Sequence, residues 1–315
     1  MTIAVVLVAY AIAVGTLGSW LLGRARWPAR APLLAVGTYL AAAWSVLAAV
    51  GLAGLTLAIQ ATALGDGLSH LIGACVLRLR ETYGTPGGAT VAALGLILAA
   101  AIVARTLLAA STHVRVTGRQ ALRHAQTARL AGRPDPALGA VLVEHPDPVA
   151  YCVAGRHPTV IISTGALDAL DPAQLAAVLA HERAHLSARH HKLRALARIG
   201  RLVLPFMPLM READAEVARL IEMHADDAAV RASNPRALAT ALVVLATAFS
   251  PAPALGAAAT DSVQRVRRLL RPAEPLGRAR RHLLRATAAS FALAPVLLAL
   301  TPALVALALG RLPLA

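Results

Sequence analysis

The chain has 315 residues, of which 57% are hydrophobic, 3% aromatic and 15% charged, a balance too apolar for an ordinary soluble domain and one that argues against a purely cytosolic globular enzyme. The formal net charge of +15 would suit nucleic acid, but no aromatic residues interleave with the basic ones, and no direct nucleic-acid partner is expected. The basic residues are distributed instead by membrane side.

Four stretches carry no charged residue: 1–23, 31–65, 82–104 and 286–310. Each is long enough to cross about 30 Å of hydrocarbon as a helix. The expected spans are about 2–23, 33–57, 89–110 and 288–309. The first has no basic segment before its apolar run and is followed directly by GRARWPAR, so it reads as an uncleaved span and not a removed signal peptide. Twenty-four of the 31 Lys and Arg residues fall between Thr112 and Ala288, and Arg24, Arg26 and Arg30 sit between the first two spans. By the positive-inside rule those two segments face the cytoplasm, while the 66–88 loop and the tail after the last span face outward. Cys75 and Cys152 then lie on opposite sides and cannot pair. The expected organisation is a membrane region at 1–111, a cytoplasmic domain at 112–287 and a final span with a short outer tail at 288–315.

Within the cytoplasmic interval, ALGAVLVE (137–144), VAYCV (149–153) and TVIIS (159–163) are short β-branched runs separated by HPDP and AGRHP, which read as strands of a small sheet. Asp171 as N-cap and Pro172 as first helical residue then open a helix expected to run on through ARIG at 197–200. The uncharged run LVLPFMPLM (202–210) is too short to cross; it either packs in the core, the blander reading, or dips into the membrane as a hairpin. A second helix, about 211–232, holds six of the chain's 16 acidic residues. The run 237–260 is divided by Pro251 and Pro253 and reads as a buried helix, with a membrane span as the alternative. The fold class is thus mainly α: four transmembrane helices, with an α+β domain between spans three and four.

The chemistry sits on the first of these helices. His181, Glu182 and His185 form His-Glu-x-x-His, which places two imidazoles at i and i+4 on one helical face, where both can bind one Zn2+. Glu182 lies beside that face, suited to take a proton from the attacking water. Without metal, the two histidines and the glutamate would be polar groups in an apolar helix needing other partners. A catalytic zinc needs a third protein ligand, and Glu222 on the acidic helix is the best candidate. Asp226, one turn further, is placed to orient a ligand histidine through its second nitrogen. His191, six positions after His185, competes as a ligand, but on a continuing helix it points away. His145, His157, His190 and His224 read as surface residues or as supports behind the ligands. Arg231 and His224 are the candidates from location for stabilising an oxyanion.

Three segments, YCVAGRHPTVIISTGAL, DPAQLAAVLAHERAHLSARHH and IEMHADDAA, resemble in order the integral-membrane zinc peptidases of the BlaR and MecR antibiotic sensor-transducers, which are gluzincins. The resemblance implies His181, His185 and Glu222 on zinc and Glu182 as general base. It also implies a plasma-membrane endopeptidase with a cytoplasmic catalytic domain, acting on a winged-helix repressor of the BlaI or MecI type or on itself. Those sensors carry a large penicillin-binding domain after their last span, where this sequence has only about five residues, so β-lactam sensing is not expected. A peptide substrate is expected to add as a strand at a sheet edge around Thr159 to Ser163. The alternatives are a quality-control protease of the HtpX type and a non-catalytic scaffold that keeps zinc for structure.

Overall fold

The computed structural model describes residues 2–58, 88–155, 158–248, 257–271 and 274–308. The 66–88 loop, apart from its last residue, together with His157, Cys75 and the outer tail, lies outside them. Among the described residues four helices are long and apolar enough to cross a membrane, and the chain is a multi-pass membrane protein. The first, Thr2–Arg24, consists of α1 (Thr2–Ala13), a π-helical turn (Val14–Gly18) and α2 (Ser19–Arg24). The others are α3 (Pro32–Ala58), α4 (Gly88–Ala131) and α11 (Arg278–Ala308). Helix α4 does not stop at the end of its apolar run; it continues unbroken to Ala131, roughly six turns beyond the expected cytoplasmic exit. Helix α11 likewise begins well before its apolar stretch, with Arg278, Arg280, Arg281 and Arg285 on its leading turns.

Helices α3 and α4 cross backbone to backbone at a pair of glycines. A Cβ on Gly54 would lie 2.6 Å from the Gly95 carbonyl oxygen, and one on Gly95 would lie 2.6 Å from that of Gly54. Such small-residue crossings let membrane helices gain dispersion contact that lipid would otherwise supply.

The α+β unit opens with four strands: β1 (Gly132–Asp135), β2 (Ala140–Val143), β3 (Ala150–Val153) and β4 (Thr159–Ser163). Their spatial order is β1-β2-β4-β3, with β2 and β4 parallel and the other pairs antiparallel. The three expected strands are present, and β1, a GRPD segment without β-branched residues, is an addition. Strand β4 lies inside the sheet, paired on both sides, so the expected docking edge at Thr159 to Ser163 is corrected: the outer strand is β3. Alternation sorts the two faces. Val160 and Ile162 pack with Val178 and Leu179 of the next long helix, whereas Val141, Val153 and Ile161 pack with Ala121 of α4.

After α5 (Thr164–Ala169) come α6 (Pro172–Ser187), α7 (His190–Val203), α8 (Pro208–Val230), α9 (Pro235–Ala248) and α10 (Ala257–Leu270). Helix α6 starts as the sequence indicates, with Asp171 and Gln174 forming a reciprocal capping box and Pro172 in the first turn. It does not run through to residue 200. Ala188 leaves the helix, Arg189 adopts a left-handed conformation at φ 52°, and α7 starts afresh at His190. A non-glycine residue in that region is uncommon.

The membrane helices and the catalytic unit share one hydrophobic core. Leu7, Val36, Tyr39 and Val46 from the spans are in the same buried cluster as Val203, Leu209, Met210, Val217 and Leu220 from α7 and α8. Helix α8 therefore packs directly on α3. Of the 202–210 run, Val203, Leu204, Leu209 and Met210 are buried, as a packed core segment requires, but Leu202 and Phe206 are exposed.

Replacing Gly95 by leucine forces α3 and α4 apart, and overpacking of this kind costs about 1–3 kcal/mol. The expected outcome is a lower thermal midpoint in detergent for Gly95→Leu, read by a thermal-shift assay, whereas Gly118→Ala, where an added Cβ meets open space and alanine favours the helix, does not lower it.

Candidate metal centre

His181 and His185 project from α6 toward Glu222 of α8, which packs alongside. Their Nε2 atoms are 3.1 Å apart. His181 Nε2 is 3.5 Å from Glu222 Oε2, and His185 Nε2 is 3.5 Å from Glu222 Oε1. Ligand atoms around a tetrahedral zinc with bonds of about 2.0–2.1 Å sit about 3.3 Å apart. The three donors therefore stand at the spacing that one such ion needs, and among the described residues they form the cluster able to hold a metal. His191 is exposed at the start of α7 and is not part of it.

Each ligand is held from behind. His181 Nδ1 lies 3.0 Å from Asp226 Oδ1, an oblique approach that pairs charge without a straight hydrogen bond. Asp226 is 1% exposed and receives a bidentate clamp from Arg265 of α10, with Nε donating to Oδ2 at 2.8 Å and a terminal nitrogen to Oδ1 at 2.7 Å. The other terminal nitrogen is 3.2 Å from Glu222 Oε2. One turn further on α10, Arg268 pairs with Asp227 at 2.7 Å and donates to the Ala29 carbonyl between the first two spans at 3.0 Å. Nothing in the sequence distinguishes Arg265 among 31 basic residues.

The helix break at Arg189 folds His190 back beneath His185. Their Nδ1 atoms are 2.9 Å apart, and His190 Nε2 is 2.9 Å from His224 Nδ1. With His185 Nε2 facing the metal position, one tautomer chain satisfies all three rings. His185 Nδ1–H donates to His190, and His190 Nε2–H donates to His224. His190 is 1% exposed, and burial followed by the neighbouring His185 and His224 pushes its pKa down to about 4, which keeps it neutral. His224 is thus engaged behind a ligand and Arg231 is exposed at the C-cap of α8. The cation that reaches the ligand atoms is Arg265, not the two residues flagged for an oxyanion. His145 is exposed near the sheet.

Burial opposes charge throughout this cluster, and the partners overcome it. Glu222 is held well below the usual carboxylate range by the His181 and His185 imidazoles beside it and by Arg265, and Asp226 is held down by hydrogen bonds from Arg265 and by the neighbouring His181. His181 is raised to about 9: burial works against it, but the Asp226 and Glu222 carboxylates prevail. Glu182, half-buried on the same helix, sits beside Cys152 of β3. Burial, then the carboxylates of Glu182 and Glu222, pushes the Cys152 thiol up to about 12, so it stays a neutral donor to Glu182.

The centre opens into a cleft of about 1090 Å³. One wall is β3 with Tyr151 and Cys152, another is the extension of α4 at His113, Thr117 and Gly118, and the floor holds His185 and Glu222. An open cleft between an outer strand and a two-histidine, one-glutamate cluster is the arrangement of a metalloendopeptidase.

Comparison with known proteins agrees. Residues 117–273 match the family model described as peptidase family M48, and this segment is an M48 zinc-metallopeptidase domain set in a multi-spanning membrane protein. No curated protein and no solved structure matches the chain.

Arg265→Gln leaves Asp226 and Glu222 without their clamp; zinc affinity is expected to fall about 10–100-fold, measured by competition with a chromophoric chelator. In the metal-free protein, His181 carries a proton below about pH 9 that a metal must displace. Apparent zinc affinity should therefore rise by up to about tenfold per pH unit toward that value and level off above it, with proton release visible by calorimetry in buffers of different ionisation enthalpy.

Proposed function

We propose that the chain is a membrane-embedded, zinc-dependent endopeptidase in which His181, His185 and Glu222 hold the ion and Glu182 is the general base. The observation that carries this is the convergence of the three donors at tetrahedral spacing with Glu182 between them and the outer strand β3. The peptidase unit is taken as 112–287, flanked by membrane regions 1–111 and 288–315. It faces the cytoplasm across the plasma membrane, as the concentration of basic residues between Thr112 and Ala288 supports.

A substrate segment adds to β3, whose outer side has no strand partner among the described residues, and lies in the cleft with its scissile bond over Glu222. Bound zinc would polarise that carbonyl and acidify the attacking water. Glu182 takes the proton from the water and delivers it to the leaving amine. Asp226 fixes the orientation of His181, and His190 that of His185, so neither imidazole rotates as charge develops. Arg265 adds positive charge beside the ligands.

The protein substrate is a cytoplasmic regulator, of the winged-helix BlaI or MecI type, or the peptidase itself; the resemblance to sensor-transducers supports this reading. The broad, mainly apolar cleft favours a second one, degradation of unfolded membrane proteins in the manner of HtpX. Substrate range separates them, one neighbouring regulator against many unfolded proteins.

Glu182→Gln in detergent or nanodiscs is expected to keep zinc and to lose about 10²–10⁴-fold in cleavage of casein or a neighbouring repressor. Equal cleavage by both proteins would remove Glu182 from the mechanism.

A further inference from the structure

The turn between α7 and α8 lies at a depth that the spans themselves measure. Gly15 of the first span touches the Met207 side chain. It precedes Arg24, the first cytoplasmic charge, by nine residues, so Met207 sits roughly 14 Å below the level of Arg24. Helix α4 gives a second gauge. Arg105 stands 17 positions after Gly88, roughly 26 Å along the span and just inside a hydrocarbon layer about 30 Å thick. Its guanidinium donates to the Leu202 carbonyl at 2.9 Å. A third gauge is Glu212 on the rising helix α8, which accepts hydrogen bonds from Ser19 of the first span and, at 3.2 Å, from Tyr39 of the second. Ser19 lies five residues before Arg24 and Tyr39 seven after Pro32, roughly 8–10 Å in from either end. All three place residues 202–208 beneath the membrane surface.

The turn is built for that position. Residues 202–210 carry no charge and are flanked by Arg201, whose guanidinium folds onto the turn, and by Arg211, whose long stem can reach back to the interface. Its irregular backbone is satisfied from within: Arg105 takes the Leu202 carbonyl, Met207 N–H that of Leu204, Arg201 that of Pro205 and Met210 N–H that of Met207. Non-helical backbone at membrane depth requires such satisfaction. The side chains that remain exposed are Leu202 at 42%, Phe206 at 70%, Pro205 and Pro208, all of them apolar.

We propose that the α7–α8 hairpin is re-entrant, with residues 202–208 seated among the acyl chains of the leaflet on the catalytic side and Leu202 and Phe206 facing lipid. Glu222 stands 14 residues above Pro208 on α8, roughly 21 Å higher. The metal centre therefore lies within about 10 Å of the membrane surface, and the segments it meets are membrane-proximal ones.

The test is nitroxide labelling of the full chain in lipid nanodiscs, on a background with Cys75 and Cys152 replaced by alanine. Phe206→Cys is compared with Leu94→Cys, exposed on the third span, and Asp168→Cys, exposed on α5. Retained zinc binding certifies each fold, and Leu202→Cys replaces Phe206→Cys if the latter fails that check. The expected result is an oxygen-to-nickel-chelate accessibility ratio at 206 close to that at 94 and several-fold above that at 168. A ratio matching 168 would overturn the proposal, because the turn would then be in water. Low accessibility to both reagents with dipolar broadening between copies would also overturn it, because a second chain would cover the face.

Discussion

The bidentate pair between Arg265 and Asp226 is the contact on which the metal centre depends. Asp226 is almost wholly buried, where an unpaired carboxylate is costly, and removing one partner of such a pair typically destabilises by about 3–5 kcal/mol. Pairing fixes more than a charge. It joins α10 to α8, brings a carboxylate under the second nitrogen of His181, and sets the other terminal guanidinium nitrogen against Glu222. Arg268 repeats the device one turn along, on Asp227, and carries it to the backbone between the first two spans. The order at the ligands is thus set by a neighbouring helix that supplies none of them.

Helix α8 has a second partner of opposite character. Its apolar face packs on α3 within a single core that runs from the membrane spans into the catalytic unit. The soluble-looking half of the chain is consequently not a domain on a tether. Glu222 and Tyr39 belong to one packed body, and close-packed interiors transmit displacement instead of absorbing it.

Much of this was legible in the sequence, and what was not has physical causes. The spans follow from uncharged length, and the ligands from helical spacing, His181 and His185 at i and i+4 and Glu222 followed by Asp226. The start of α6 was legible because Asp171, Pro172 and Gln174 are local signals. Its end was not: LSARHH contains neither glycine nor proline, and the left-handed turn at Arg189 is held by tertiary contacts of His190 with His185 and His224. Strand order was equally hidden, since β2, β3 and β4 are alike in composition and only long-range pairing decides which is outermost. Arg265 was invisible because its role depends on where α10 docks, a property that no local pattern encodes.

The unbroken course of α4 makes it a lever. Its fulcrum is the glycine crossing with α3, and Thr117 on the cleft wall lies 22 residues beyond Gly95, roughly 33 Å away. Swinging that arm by about 5°, small against the range of tilts membrane helices adopt, carries Thr117 about 3 Å. That is comparable to the width of a peptide backbone. A change of tilt at the glycine crossing would therefore be felt on that scale at the wall of the cleft.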